Sequence, residues 1–312
     1  MSKPRREQLL VWHREMVRLR AFEEAVARGH RDGQLPGLLH LAMGGEAVTT
    51  GLFNCLTETD RVYSAHRPHQ HFVASGVDPR LVMAELAGRE TGLCHGRAGT
   101  MHLMSDRVVM GTGIVGGTIS LAVGHAVTQD DGDVVVALFG DGAVQTGTFH
   151  ESMNLAALWK VPVLFLCENN GWAEFSSRDE HTTVGGVVRY GELYNIPARE
   201  VDGTDVEAVV EAIHAMLGPI REGQGPALLE CHIARMRSHY EGDFREQTSD
   251  GDPLLTIEAT LTEGLGVDAA QLEGVREDEL ARGIELLESV LAQEPEPDPA
   301  DDRRFLYAAG DA

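Results

Sequence analysis

The chain has 312 residues, of which 43% are hydrophobic and 24% charged, a composition typical of a globular protein with one large or two small domains. Its 49 acidic residues against 26 basic ones give a formal net charge of -23, which disfavours binding to nucleic acid or to anionic membranes. No stretch approaches the roughly 20 apolar residues of a membrane helix, and the polar N-terminus lacks a signal-peptide core, so the sequence predicts a cytoplasmic protein.

The first part of the chain is predicted to be mostly helical. Apolar residues recur at helical spacing from Leu9 to Val26, which predicts an amphipathic helix ending near Gly29. Further helices are predicted over residues 46–56 and 79–88, with a short strand at 61–64 between them. A helix rich in small residues follows at 113–127, after a glycine-rich turn.

The second part alternates strands with helices. Strands are predicted at 134–139, 161–167, 198–201 and 227–233, and helices at 148–159, 186–194 and 205–217. The strand runs are nearly continuous in Val, Leu and Ile, as in strands that are buried on both faces. The predicted fold class is therefore α/β, a doubly wound, mostly parallel sheet with helices on both faces.

The C-terminal part is predicted to leave the sheet. A charged, glycine-containing stretch at 235–253 predicts a loop, and a terminal helix follows at about 277–292. The acidic, proline-rich tail from 294 to 302 predicts a solvated arm, because it has no apolar surface to bury. We therefore assign residues 1–275 to one α/β domain with an N-terminal helical extension, and 276–312 to a C-terminal helix and tail.

Polar residues follow two consecutive predicted strands at their carboxyl ends. Gly140-Asp141-Gly142 ends the first strand and Asn169-Asn170 the second. Ligands of parallel sheets bind outside these ends, and Mg2+ takes oxygen ligands such as Asp141 and Asn170 together with phosphate oxygens. Either element alone is equally well explained as a turn. The pair is more specific, because both follow buried-strand runs with a predicted helix between them.

The stretch from Leu138 to Glu174 resembles the thiamine diphosphate signature of a known family. It is similar to the alpha subunit of the dehydrogenase component of 2-oxo acid dehydrogenase complexes, and most similar to the acetoin dehydrogenase branch. The resemblance covers roughly residues 8–260 and implies the thiamine diphosphate-binding fold. It further implies that Mg2+ binds Asp141, Asn170 and the Trp172 carbonyl. The implied diphosphate ligands are Arg67, His239 and the amides of Gly142 and Ala143.

The segment 66–71 brings three imidazoles and a guanidinium together. From the residues alone it is a basic loop or, less readily, a metal site. The resemblance implies that His66 and Arg67 contact the cofactor and that His69 lines the reaction centre. His66 replaces the tyrosine that the family often carries, and Pro68 and Gln70 depart from its pattern as well.

Two further regions gain roles from the resemblance. The main chain of Gly113 and Val115 is implied to bind the aminopyrimidine ring of the cofactor, although the segment alone is also compatible with a flexible start of a helix. His40 and His239 match active-site histidines, and with His69 they are the predicted catalytic residues, since imidazoles carry protons near neutral pH. The loop 244–253 is shorter than its family counterpart, which closes over the active site.

The family assembles its active site from two chains. A separate beta subunit supplies the glutamate that activates the aminopyrimidine, so the resemblance implies half of an active site in an alpha2beta2 heterotetramer. The expected reaction is cleavage of acetoin or decarboxylation of a pyruvate-like 2-oxo acid, with transfer of the acyl unit to a lipoyl acyltransferase. Two alternatives remain open: a biosynthetic carboligase or two-carbon acyl transferase subunit, and a non-catalytic cofactor-binding subunit.

Overall fold

A computed structural model describes residues 3–243 and 250–298 of the chain. A six-stranded parallel sheet forms its centre, with the strand order β2-β1-β3-β4-β8-β7, and β5 and β6 pair separately as an antiparallel ribbon. The strands are β1 (Arg61–Tyr63), β2 (Val108–Met110), β3 (Val135–Gly140), β4 (Val163–Asn169), β5 (Trp172–Ala173), β6 (Ser176–Ser177), β7 (Ala198–Asp202) and β8 (Ala227–His232).

Helices cover both faces of the sheet. They are α1 (Lys3–Arg31), α2 (Glu46–Cys55), α3 (His69–Ala74), α4 (Pro79–Leu86), α5 (Gly117–Ala126), α6 (Gly147–Trp159), α7 (Arg178–His181), α8 (Arg189–Tyr194), α9 (Val206–Arg221), α10 (Pro253–Ala259) and α11 (Ala269–Gln293). A 3-10 turn covers Asp141–Gln145 and a π-helical turn covers Thr260–Gly264. In the described ranges, no helix is both long and apolar enough to cross a bilayer.

The side chains of β3 show why its sequence is apolar throughout. Val136 and Leu138 point into a core shared with α1, α2 and α9, whereas Ala137 and Phe139 point into a second core shared with α5 and α6. Successive strand residues face opposite sides of a sheet, and a strand buried on both faces therefore has no polar positions. The predicted doubly wound α/β fold is confirmed.

Several short elements lie where no regular structure was predicted, among them β2, α3 and the ribbon of β5 and β6. β2 has only three residues and pairs with β1 at the edge of the sheet, and α3 occupies the histidine-rich segment. The ribbon of β5 and β6 follows the second polar strand end. None of these elements is long enough for its hydrophobic period to show in the sequence.

The C-terminal helix begins earlier than predicted. Asp268 caps α11 by accepting the N–H of Ala270, so the helix starts eight residues before the expected position and contains the proposed boundary at residue 275. A Cβ atom on Gly283 would lie 2.8 Å from the Ala21 carbonyl oxygen, which shows how closely α11 packs on α1. The C-terminal helix therefore packs directly against the N-terminal one. Of the predicted loop and tail, residues 244–249 and 299–302 lie outside the described residues.

Parallel strands bring their carboxyl ends to one edge of the sheet. The segment before α3 follows β1, the 3-10 turn Asp141–Gln145 follows β3, and the ribbon of β5 and β6 follows β4. Because β1, β3 and β4 are neighbours in the sheet, these three connections meet at the same place, as the pattern of polar strand ends predicted.

Candidate functional site

A cavity of about 370 Å³ opens where these connections meet. Ten of the twelve predicted site residues line it. Six of them were predicted mainly for their side chains or for metal binding: His40, His66, Arg67, Asn170, Trp172 and His239. Four were predicted for main-chain contacts: Gly113, Val115, Gly142 and Ala143. The other two, Asp141 and His69, lie behind the wall.

Two guanidinium groups give the cavity a local positive charge. Arg67 donates hydrogen bonds to the carbonyl oxygens of Leu41 and, at 3.0 Å, His239, and its buried Nε has no partner among the described residues. Burial, followed by the neighbouring charge of Arg235, lowers the pKa of Arg67 to about 10, so it remains a cation at neutral pH. The exposed Glu174 is the one acidic residue that lines the cavity in the described chain. Such a site favours an anionic ligand.

Arg235 is a cavity residue that the sequence did not single out. It donates to the Glu174 carbonyl oxygen at 2.8 Å and stacks over the Trp172 ring, with its guanidinium carbon 5.2 Å from the ring centroid. It lies four residues before His239 in the same predicted loop. Its position near that histidine was the signal in the sequence, but a charged loop gave no reason to prefer one arginine over another.

Three imidazoles form a cluster on one side of the cavity. The ring centroid of His40 lies 5.2 Å from that of His66 and 4.8 Å from that of His239. Burial, followed by the charge of Arg67, lowers the pKa of all three: to about 4 for His40, to about 3 for His239 and well below the ordinary value for His66. The rings are therefore neutral near pH 7, and each offers one donor and one acceptor nitrogen.

His69 does not belong to this cluster. Its side chain is fully buried, with Nδ1 3.1 Å from a carboxylate oxygen of Glu23 and Nε2 2.7 Å from the Thr100 hydroxyl. Both ring nitrogens thus have protein partners, and the ring does not line the cavity. The expectation that His69 lines the reaction centre is corrected: it is buried behind the wall.

Asp141 presents a buried oxygen atom without a donor. The side chain is 3% exposed, and Oδ1 accepts the N–H of Asn170 at 3.3 Å. Oδ2 has no hydrogen-bond partner among the described residues; the nearest histidine nitrogen, Nε2 of His181, lies 3.9 Å away. Burial raises the pKa of Asp141 to about 6. Buried polar atoms are nearly always paired, and an unpaired carboxylate oxygen is the kind of ligand that a hard cation takes.

The two asparagines at the end of β4 have different roles. Asn169 is buried, donates to Glu230 and accepts the N–H of Gly171 at 2.9 Å, so it builds the turn. Asn170 lines the cavity, and its side-chain oxygen accepts the N–H of Trp172 at 3.0 Å. A carboxamide oxygen has two lone pairs and keeps one for a cation. Asp141 and Asn170 together could therefore hold a divalent cation beside an anion.

Main chain forms the rest of the wall. A Cβ atom on Gly142 would lie 2.8 Å from Cβ of Ala173, so glycine lets the turn after β3 approach the ribbon. Gly113 and Val115 line the cavity in front of α5, and Val115 remains 64% exposed. The cavity thus has a positively charged part at Arg67 and Arg235 and a main-chain wall at Gly113 and Val115.

Comparisons with known proteins identify the family of the chain. The family model described as dehydrogenase E1 component matches residues 14–262. The alpha subunit of acetoin:2,6-dichlorophenolindophenol oxidoreductase from Cupriavidus necator is 38% identical over 97% of this chain and 95% of its own length. Its namesake from Bacillus subtilis is 41% identical over 76% of this chain and 73% of its own. The pyruvate dehydrogenase E1 component subunit alpha of Zymomonas mobilis is 37% identical over 96% of this chain and 88% of its own.

Proposed function

The chain belongs to the dehydrogenase E1 component family, and we propose that it is the alpha subunit of an enzyme that cleaves acetoin or decarboxylates a pyruvate-like 2-oxo acid. Thiamine diphosphate is the cofactor of this family. The acyl unit would pass to a lipoyl group on a partner acyltransferase. The observation that carries the proposal is the cavity itself, which is lined by Arg67 and Arg235. Directly behind its wall at Gly140 and Gly142, Asp141 has a buried oxygen with no hydrogen-bond partner among the described residues.

The metal is proposed to be Mg2+. Its protein ligands would be the side chains of Asp141 and Asn170 and the main-chain carbonyl of Trp172, at the carboxyl ends of β3 and β4. Mg2+ commonly takes one or two side chains together with phosphate oxygens. The buried oxygen of Asp141, which has no donor among the described residues, supports this assignment.

The cofactor is proposed to lie along the cavity. Arg67, His66, His239 and the amides of Gly142 and Ala143 would hold the diphosphate, and the main chain of Gly113 and Val115 would hold the aminopyrimidine. When bound, thiamine diphosphate supplies the carbon nucleophile and the electron sink for the reaction. The protein binds it and orients it within the cavity.

The histidine cluster is proposed to manage protons. His40 and His239 are neutral near pH 7, and their rings contact each other at the cavity wall. A neutral imidazole can accept a proton at one nitrogen and donate from the other. We therefore keep His40 and His239 as the catalytic candidates, and we withdraw His69 from that role because it does not reach the cavity.

A second chain is proposed to complete the site. The family reaction needs a glutamate that activates the aminopyrimidine, and the exposed Glu174 is the only acidic lining residue in the described parts of the chain. Next to the cavity, Ile114, Val115 and Leu121 are 49% to 68% exposed. Contiguous exposed apolar residues are typical of an interface. A beta subunit that covers this patch in an alpha2beta2 heterotetramer would bury it and supply the missing carboxylate.

The test combines binding with turnover. The chain, co-expressed with a beta-type subunit, is titrated with thiamine diphosphate in the presence and absence of Mg2+, and reduction of an artificial electron acceptor is followed with acetoin and with pyruvate. Mg2+-dependent binding with acceptor reduction supports the proposal and ranks the two substrates. Binding without acceptor reduction favours the carboligase alternative. Affinity that does not depend on Mg2+ contradicts the assignment of Asp141.

A further inference from the structure

A buried hydrogen-bonded chain runs behind the cavity. Glu23 of α1 lies 3.1 Å from Nδ1 of His69, and Nε2 of the same ring lies 2.7 Å from the hydroxyl of Thr100. Glu23 and His69 are fully buried and Thr100 is 7% exposed. The three side chains come from α1, α3 and the loop before β2, so the chain joins parts of the sequence that are far apart.

The Glu23 carboxylate sets the orientation of the His69 ring. A carboxylate accepts hydrogen bonds, so Nδ1–H of His69 donates the bond to Glu23, and Nε2 of the same ring bonds the Thr100 hydroxyl. The carboxylate thereby fixes the orientation of the ring, in the way that an outer carboxylate orients a histidine in metal sites.

Thr100 is next to a residue of the cavity wall. Met101 lines the cavity, and it backs the glycine-rich segment before α5: a Cβ atom on Gly111 would lie 2.8 Å from the Met101 carbonyl oxygen, and one on Gly113 would lie 3.1 Å from its sulfur. The position of Met101 therefore sets the position of Gly113, whose main chain is proposed to bind the aminopyrimidine.

Glu23 also reaches the opposite side of the site. Its second carboxylate oxygen accepts the N–H of Ala42 at 3.3 Å, two residues after His40. The loop before β2 that carries Thr100 and Met101 has a separate support in its earlier part. There Glu85 accepts the N–H groups of Cys94, Gly96, Ala98 and Gly99. The next residue of the loop, Thr100, is bonded by His69 instead, immediately before Met101.

We propose that Glu23 is a positioning residue: through His69 and Thr100 it fixes Met101, and thereby the main-chain wall at Gly113 that receives the ring end of the cofactor. The proposal rests on the proposed function for the identity of that cofactor. It assigns no contact between Glu23 and the ligand. It also gives His69 a role that its buried position permits, and explains why an imidazole with two partners is placed behind the wall.

The test separates the two ends of the ligand. Thiamine diphosphate uses both the anion site and the ring wall, whereas inorganic diphosphate with Mg2+ uses only the anion site at Arg67 and Asp141. Both probes are titrated calorimetrically into the complex with its co-expressed beta-type subunit. The variants are Glu23→Gln, Thr100→Val and the double variant. Glu15→Gln is the control, because Glu15 also lies on α1 and accepts one side-chain hydrogen bond, from Asn54 at 2.8 Å.

Each single variant is expected to weaken thiamine diphosphate binding by about tenfold, the loss that follows when one buried hydrogen bond of the network is broken. Binding of diphosphate with Mg2+ should change by less than about twofold, on the same scale. The double variant should bind no worse than the weaker single variant, because residues in one network do not contribute additively. The control should bind both probes as the wild type does.

Equal weakening of both probes would overturn the inference, since it would show a general loss of structure. Additive losses in the double variant would overturn it as well. If the wild type binds neither probe, the proposed function fails instead. In that case the hydrogen-bonded network through His69 is tested by the free energy of unfolding, on which the effects of Glu23→Gln and Thr100→Val must again be non-additive. Additive effects on unfolding would refute the network independently of any ligand.

Discussion

Replacing Asp141 by asparagine should stabilise the cofactor-free protein at pH 8 while removing its response to Mg2+. Burial raises the pKa of Asp141 to about 6, from an ordinary value of 3.8. Keeping the carboxylate ionised in the folded state therefore costs about 3 kcal/mol above pH 6. The introduced carboxamide carries no charge and still accepts the N–H of Asn170, but its own N–H groups lose solvent, at a cost of about 1 kcal/mol. The net gain is about 2 kcal/mol, the difference between these two contributions.

The sign of this effect depends on pH. A carboxyl group whose folded pKa is raised binds more protons in the folded state, so the contribution of Asp141 to wild-type stability falls as pH rises from 3.8 to about 6 and is constant above that range. The advantage of Asp141→Asn should thus be complete at pH 8 and disappear below about pH 4, where the wild-type carboxyl group is neutral in both states.

Urea unfolding of the cofactor-free protein at pH 8 and pH 4 measures both effects. Saturating thiamine diphosphate with Mg2+ should then reverse the order of stability at pH 8. At about 100 times its Kd the cofactor stabilises the wild type by about 2.7 kcal/mol, whereas the variant has no carboxylate at position 141 to bind the metal. An asparagine variant that is less stable than wild type at pH 8 without ligand would refute the reasoning, since it would mean that Oδ2 already has a partner.

Three further predictions follow from the same geometry. Arg67→Lys should weaken thiamine diphosphate binding by about tenfold or more in calorimetry, because a single ammonium cannot replace the guanidinium that bonds two carbonyls and an anion; unchanged affinity would exclude Arg67 as a ligand. Gly116→Ala should lower the free energy of unfolding by at least about 1 kcal/mol. The φ angle of Gly116 is +74°, and a Cβ atom there would lie 2.5 Å from the Thr146 hydroxyl oxygen. Gly274→Ala is the control: this position within α11 has open space around it, so the change should be neutral or stabilising. His239→Gln should make stability less sensitive to acid between pH 6.5 and 4, because the lowered pKa of His239 makes the unfolded state take up the proton first; equal sensitivity in urea titrations would contradict that pKa.

The sheet and the two polar strand ends could be predicted because their signals are local. Apolar runs as long as β3 and β4 have one explanation, burial on both faces, and turn residues directly after them fix where the strands end. The family resemblance then assigned Asp141 and Asn170, and the structure places both at adjacent strand ends. The positions of α3 and β2 could not be predicted, because segments of three to six residues are stabilised by tertiary contacts rather than by their own pattern.

Arg235 and His69 show the limit of motif matching at the site. A sequence shows that a residue type is present, but a direct ligand and a residue that supports it look the same. His69 lies two residues after Arg67, yet the helical turn of α3 points it away from the cavity, towards Glu23. Arg235 lies in a charged loop without a period, and only the fold shows that it stacks on Trp172 at the cavity wall.

The pH behaviour of the site links its two halves. On the metal side, the carboxyl group of Asp141 has a raised pKa, so the cofactor-free protein gains stability as pH falls towards 3.8. On the other side, His40 and His239 have lowered pKa values, so the protein loses stability over the overlapping range below 6.5. These contributions oppose each other only while Asp141 lacks a cation. A cation bound as proposed would stabilise the carboxylate and remove the first contribution, so that the histidines alone would set the acid sensitivity. In the proposed function, the buried carboxylate of Asp141, whose ionisation lowers the stability of the cofactor-free protein, would be the group that attracts the cation.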